Sequence, residues 1–113
     1  MKVDQLLPLP KKRVQFAWPY HVTVPEQAGC YALVTYSGEV LYVGLAKSSI
    51  RDRMGDHLDT PEKRKAGEAG AAYWFYFILC TADKAGPIER GWMNQALMED
   101  GVLPPINRIY SPL

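Results

Sequence analysis

The stretch from Gly29 to Leu58 reads GCYALVTYSGEVLYVGLAKSSIRDRMGDHL. Its β-branched and aromatic residues lie on both sides of a Ser-Gly pair at 37–38, a pattern typical of two antiparallel strands joined by a tight turn. Further along, apolar residues recur every four positions at Ile50, Met54 and Leu58, which predicts an amphipathic helix. The stretch is therefore predicted to form a β-hairpin followed by a short helix.

The length of the hairpin loop decides whether two tyrosines meet. A two-residue loop would place Leu33 opposite Tyr42, and Tyr31 would then lie diagonally beside Tyr42 on the same face of the sheet. Their hydroxyl groups would converge on one substrate. A three-residue loop with Gly38 at positive φ would shift the register by one residue and undo this convergence. The sequence leaves both loops open.

The predicted helix carries a cation and an imidazole beside its apolar stripe. Ser48 or Ser49 is suited to cap its amino end. Arg53 and His57 are four residues apart and therefore lie along one flank of the helix, whereas Arg51 lies on the other flank. Arg53 and His57 are predicted to face the tyrosines of the hairpin.

The other segments predict an α/β (α+β) domain with a small, mostly antiparallel central sheet of three or more strands flanked by helices. Residues 1–28 are rich in proline and are predicted to form an N-terminal arm, and residues 29–113 are predicted to form one domain. The run AAYWFYFILCT at 71–81 predicts a central strand buried on both faces. Helices are predicted at 48–58, 60–67 and 87–100, the last of them opened by Pro87.

Composition narrows the class of protein. The 113 residues carry a formal net charge of +1, so any binding of phosphate groups depends on local clusters of cations. Cys30 and Cys80 lie in apolar runs without metal-site spacing and are expected to be reduced. No apolar run approaches the ~18 residues that span a bilayer, so we expect no membrane partner and a cytoplasmic location. The oligomeric state is left open.

The chain resembles a known family in two tyrosine-glycine triplets and in three later elements. The triplets look like the two signatures of the GIY-YIG nucleases, and the later elements follow in the family's order. The matching elements are Gly29-Cys30-Tyr31, Tyr42-Val43-Gly44, Arg53 with His57, Glu89, and Pro104-Pro105-Ile106-Asn107. The resemblance covers about Gly29 to Asn107.

The resemblance implies a metal-dependent endonuclease that hydrolyses DNA phosphodiester bonds. It implies one divalent metal ion, Mg²⁺ or Mn²⁺, bound by Glu89 and otherwise coordinated by water and substrate oxygens. Tyr31 would act as general base or relay, and Tyr42 would position water, although the sequence does not decide which tyrosine is the base. Arg53 would hold the scissile phosphate, and His57 would orient it or share the proton transfer.

The resemblance further implies a substrate-binding role for Gly44, Lys47 and Asn107. Leu45 stands where many members have a lysine, so that phosphate contact is missing or moved to Lys47. The spacing from Glu89 to Asn107 also exceeds that of the family's bacterial repair enzyme, which keeps Glu99 as an alternative metal ligand.

Other interpretations of the same residues stay open. The tyrosines fit packing aromatics, Glu89 fits a favourable interaction with a helix dipole, and Arg53 fits a surface cation paired with an acid such as Glu62. The alternative function is a catalytically inactive GIY-YIG-fold module that binds nucleic acid or protein. Leu45 and the low net charge favour it, because a nuclease domain has to hold a polyanion.

Overall fold

The computed structural model describes residues 1–67 and 70–107, so the last six residues of the predicted domain lie outside the described part. Within that part the chain forms four strands, three α-helices and two short 3-10 helices, the last at Val3–Gln5 and Tyr20–Thr23. The strands are β1 (Lys12–Gln15), β2 (Gly29–Thr35), β3 (Val40–Ala46) and β4 (Ala72–Leu79), and the helices are α1 (Ile50–Leu58), α2 (Pro61–Arg64) and α3 (Ala82–Asp100).

The four strands form one antiparallel sheet in the order β1-β4-β2-β3, which confirms the predicted α+β fold with a small antiparallel sheet. Alternate residues of each strand supply two cores, one on each face. Tyr31, Phe75 and α1 lie on the first face, and Cys30, Ala32 and α3 lie on the second. The sheet therefore separates α1 from α3.

Residues 1–28, predicted as an arm, belong to this same structure. Their strand β1 pairs with β4, with Arg13 opposite Tyr76. Leu6 is buried in the core beneath α3, and Val24 is buried in the core beneath α1. None of the helices in the described residues is long and apolar enough to cross a lipid bilayer.

The hairpin loop has three residues, Tyr36–Gly38, rather than two. It is closed by hydrogen bonds from the Thr35 N–H to the Glu39 carbonyl and from the Gly38 N–H to the Thr35 carbonyl, at 2.9 and 3.0 Å. Gly38 has φ of 102°, a conformation that a residue without Cβ adopts readily. The loop alone would therefore shift the pairing by one residue.

A second irregularity in β3 cancels this shift. Leu41 is an extra residue, because Val34 pairs with Val40 whereas Leu33 pairs with Tyr42. A β-bulge of this kind changes the register of every later pair by one. The register beyond the bulge thus equals that of a two-residue loop, and Tyr31 and Tyr42 lie on the same face with ring centroids 6.2 Å apart.

The last helix begins earlier than predicted, and this is a correction. α3 begins at Ala82 rather than Pro87, so Pro87 lies inside the helix. A proline there removes only the hydrogen bond to the Asp83 carbonyl, and Asp83 is exposed, so water can bond to its carbonyl group. Glu89 therefore lies two turns into the helix, where a favourable interaction with the helix dipole does not explain it.

Two further predictions about the elements need correction. α2 ends at Arg64, before the predicted end at residue 67. β4 is central, as predicted, but Trp74 and Tyr76 are only half-buried. α3 packs mainly on β2 and β3, so the β4 half of this sheet face has less cover.

Candidate functional site

A hydrogen bond between Tyr31 and His57 lies at the centre of the candidate site. β2 directs Tyr31 towards α1, and His57 lies in the last turn of that helix. The Tyr31 Oη and His57 Nε2 atoms are 2.6 Å apart, and both side chains are buried. Ser49 caps α1 by accepting a hydrogen bond from the Asp52 N–H, as the sequence predicted for this position.

Gly44 makes room for Tyr31. It lies directly opposite Tyr31 in the β2–β3 ladder. A Cβ atom added at Gly44 would be 2.5 Å from the Tyr31 hydroxyl oxygen and 2.6 Å from its Cζ atom. The glycine of the second triplet is therefore required by the tyrosine of the first, a packing reason that the sequence did not reveal.

Both partners of this hydrogen bond are held in the neutral form at neutral pH. Burial, followed by the nearby charges of Lys63 and Arg53, lowers the pKa of His57 to about 4. Burial also raises the pKa of Tyr31, with a further increase from Tyr42, and Arg53 acts in the opposite direction. Since neither group is ionised, the Tyr31 hydroxyl can donate to a neutral imidazole whose Nε2 carries no proton.

Tyr42 is the more accessible of the two tyrosines. It is half-buried, whereas the exposed fraction of Tyr31 is 0%. Its ring centroid lies 5.1 Å from that of His57. Burial raises the pKa of Tyr42, while Arg53 and a hydrogen bond with Tyr31 lower it. Of the two hydroxyl groups, that of Tyr42 is the one placed to meet a water molecule from solvent.

Arg53 brings an exposed cation to these hydroxyl groups. Its side chain is exposed overall, and its pKa is raised, mainly by the charge interaction with Tyr31. Arg51, on the other flank of α1, donates to the carbonyls of Val22 and Val24 and pairs with Glu26, so it joins the preceding segment to the helix. The alternative pairing of Arg53 with Glu62 involves a side chain that lies outside the described part of the structure.

Glu89 is a buried carboxylate on α3, the helix that packs on the other face of the sheet. Its exposed fraction is 8%, whereas Glu99 is exposed on the last turn of α3. After the larger effect of burial, the charge of Glu89 contributes to the raised pKa values of Tyr31 and Tyr42. Glu89, rather than the exposed Glu99, is therefore the carboxylate whose charge acts on the two tyrosines.

The donor set at Glu89 fits one magnesium-like ion that keeps most of its water. In the described residues, no group of three or more His, Cys, Asp or Glu side chains converges into a metal cage. Mg²⁺ is commonly bound by one or two carboxylates while water and substrate oxygens complete its coordination shell. Glu89, a single buried carboxylate, satisfies that minimum.

Asn107 and Lys47, predicted to bind substrate, lie in different surroundings. The Asn107 side chain accepts from the Val43 N–H and donates to the Val43 carbonyl, both at 2.9 Å. These two bonds hold β3 between Tyr42 and Gly44, so Asn107 acts on the site through the backbone. Lys47 is exposed at the end of β3.

Lys63 is a site residue that the sequence did not single out. Its Nζ atom lies 5.1 Å from the centroid of the Tyr42 ring, and its charge contributes to the lowered pKa of His57. Leu45 is apolar, although the resemblance leads us to expect a lysine at this position. The only signal for Lys63 was the basic run at 63–65, which by itself is typical of a solvated surface.

A scan of the chain against models of known protein families found no match, and a search of curated proteins found no significant relative.

Proposed function

We propose that this protein is a metal-dependent endonuclease that hydrolyses phosphodiester bonds in DNA. The observation that carries the proposal is the cluster at Tyr31: its hydroxyl bonds to His57 at 2.6 Å, its ring centroid lies 6.2 Å from that of Tyr42, and the charges of Arg53 and Glu89 act on it. Each residue has a packing or surface explanation when it is taken alone. A cation, a carboxylate, two hydroxyls and a neutral imidazole that act on one another can supply the charge stabilisation and proton transfer of in-line phosphoryl chemistry.

Arg53 binds the scissile phosphate in this mechanism. Its side chain is exposed on the flank of α1, and a guanidinium group can present a planar set of donors to two phosphoryl oxygens. The negative charge that develops on these oxygens during attack is stabilised by the same group. Lys63, beside the Tyr42 ring, adds a second cation to this end of the site.

The proton of the attacking water moves along Tyr42, Tyr31 and His57. Tyr42 accepts the proton of the water and passes its own to the Tyr31 oxygen, and the Tyr31 proton moves to Nε2 of His57 over 2.6 Å. The low pKa of His57, about 4, keeps the imidazole free to accept this proton at neutral pH. It also makes the imidazolium a strong acid, which returns the proton towards the departing 3′ oxygen.

Glu89 would hold the divalent ion, which supplies charge neutralisation at the phosphoryl oxygens when bound. Glu89 belongs to the buried face of α3. Trp92 and Met93 of the same face pack in the core and fix the position of the helix. The chain itself contributes one anionic ligand, and the hydroxyl of Tyr42 remains available to orient water.

Cleavage assays test the proposal with one matched pair of variants. Supercoiled, nicked, branched and single-stranded DNA are incubated with the protein in Mg²⁺ or Mn²⁺. We expect Arg53→Ala and Glu89→Gln each to lower the cleavage rate by about 10²–10³-fold, which is typical of removing a group that stabilises the transition state. Glu99→Gln, on the exposed part of the same helix, is expected to cleave like the wild type.

Two results would count against the proposal. The enzyme hypothesis fails if no substrate is cut in a manner that depends on both Arg53 and Glu89. The metal assignment alone fails if Glu99→Gln abolishes cleavage while Glu89→Gln does not.

The complete burial of Tyr31 favours a second candidate, a module of this fold that binds nucleic acid without cutting it. A hydroxyl group with 0% exposure, already bonded to His57, does not meet substrate directly. Leu45 adds an apolar residue where the resemblance leads us to expect a phosphate-binding lysine. DNA binding by the wild type, measured without any cleavage in either metal, would establish this candidate.

A further inference from the structure

An open pocket lies beside the candidate site, on the other flank of α1. It has a volume of about 540 Å³ and is lined by the end of α1, by α2 and by an aromatic residue from the N-terminal segment. The lining residues are Trp18, Leu58, Asp59, Pro61, Arg64 and Lys65.

Trp18, the aromatic residue of this pocket, packs against two neighbouring residues. The Trp18 ring meets His21 edge-on, with ring centroids 4.4 Å apart and an angle of 85° between the planes. Gly55 on α1 lies against the same ring, where an added Cβ atom would be 3.8 Å from it. Although it is fixed in this way, Trp18 keeps an exposed fraction of 44%. A rigid, solvent-facing indole is suited to stack on a planar ligand.

The polar rim of the pocket is mainly cationic. Arg64 and Lys65 are both exposed, and Asp59 is the one acid among the lining residues. A base stacked on Trp18 would place its sugar and phosphate against these two cations. Aromatic stacking combined with a cationic rim is the arrangement that binds single-stranded nucleic acid with little sequence preference.

The pocket adjoins the candidate site through two elements. Leu58 of the pocket follows His57 of the site along α1, and Arg64 of the pocket follows Lys63 of the site along α2. Lys63 itself lies over Tyr42. A strand whose phosphate is bound at Arg53 and which runs past Lys63 to Arg64 would bring a neighbouring nucleotide to the Trp18 pocket.

We propose that this Trp18 pocket binds an unpaired nucleotide of the DNA strand, close to the phosphate that the site contacts. The inference rests on the proposed function, because it assumes that DNA occupies the candidate site. It makes DNA with a single-stranded segment the preferred substrate class. In fully paired DNA the bases are stacked on one another, so unstacking has to precede binding in the pocket.

Binding measurements without divalent metal separate this inference from cleavage. Fluorescence anisotropy compares a blunt duplex with the same duplex carrying a short 3′ or 5′ thymidine overhang. We expect the wild type to bind one of the overhang duplexes about tenfold more tightly, which corresponds to the stacking of one base. Trp18→Leu is expected to remove this preference and leave binding of the blunt duplex unchanged.

Tyr36→Ala is the matched control. Tyr36 is 74% exposed at the hairpin loop and contacts Tyr73 and Trp74, a second aromatic cluster outside the pocket. We expect this variant to keep the overhang preference. Loss of the preference in Tyr36→Ala but not in Trp18→Leu would overturn the proposal and assign the stacking to the hairpin cluster.

A second measurement uses the wild type alone, so it holds even if Trp18→Leu does not fold. The indole N–H resonance of Trp18 is expected to shift when the overhang duplex is added and to stay in place with the blunt duplex. An unchanged resonance, or equal affinity for both duplexes, overturns the inference. Cleavage without overhang preference leaves the nuclease proposal intact, whereas overhang preference without cleavage removes only the nuclease proposal.

Discussion

Replacing His57 with glutamine removes the acid sensitivity that this histidine gives to the fold. His57 is buried and its pKa is about 4, whereas the ordinary value is 6.5. Between these two values the unfolded chain binds a proton that the folded protein does not, so the stability of the fold decreases as pH falls. Glutamine keeps a polar partner for the Tyr31 hydroxyl and does not titrate.

The magnitude follows from the two pKa values. Lowering the pH from 7 to 5 should cost the wild type about 2 kcal/mol of unfolding free energy through His57 alone. Other groups also titrate in this range, but they contribute equally to the wild type and to His57→Gln. The difference between the two proteins in their response to pH therefore isolates His57.

Urea unfolding at pH 7 and pH 5, at one ionic strength, measures this difference. The matched control is His21→Gln, which removes the second histidine of the chain and leaves Tyr31 and its partner in place. Titration of the His57 imidazole by NMR gives its pKa directly. Equal acid sensitivity in the wild type and His57→Gln, or a measured pKa at or above the ordinary value, would refute the reasoning.

Three further substitutions test the support of the site. Gly44→Ala forces a Cβ atom against the buried Tyr31 ring, and thermal unfolding should show a loss of about 1–3 kcal/mol in unfolding free energy. In the control Gly91→Ala the added Cβ meets nothing within 4 Å, so this variant should be as stable as the wild type or more stable. Asn107→Leu should lower the unfolding free energy in urea by about 2 kcal/mol, because it leaves the Val43 N–H and carbonyl without their partners. Asn107→Asp keeps only the acceptor, so its stability should lie between those of the wild type and Asn107→Leu. Tyr42→Phe should retain DNA affinity and lose cleavage if its hydroxyl meets the attacking water, so unchanged cleavage would exclude that role.

The pairing of Tyr31 and Tyr42 on one face of the sheet was only partly predictable from the sequence. Pairing Leu33 with Tyr42 was predicted from a two-residue loop, and the pairing is confirmed although that loop does not form. The three-residue loop and the bulge at Leu41 each shift the register once. A bulge has no marker in this stretch, because Leu41 continues the apolar pattern of its strand. The sequence therefore allowed for the three-residue loop, but it gave no sign of the bulge that restores the pairing.

Local signals predicted least where the chain makes distant contacts. Pro87 is a strong signal for a helix start, but the core packing of α3 outweighs one missing hydrogen bond near the amino end. Asn107 acts on a residue 64 positions away, a relation that no local pattern contains. Lys63 likewise meets Tyr42 only because α2 folds back beside α1. The elements were predictable from periodicity, whereas these partners depend on tertiary packing.

The bonding of Asn107 to Val43 also determines how the sheet ends. A side-chain amide has the same donor and acceptor as a peptide group, so at this position Asn107 imitates a neighbouring strand one residue long. Ile106 and Met1 bond to the backbone of the same edge strand, at Leu41 and Val40. Growth of the sheet by strand addition is thereby blocked at β3, and in the described structure β1 is the other edge. Two copies of its Lys-Arg sequence would repel one another, so the chain is protected from edge-to-edge aggregation at one side by hydrogen bonding and at the other by charge.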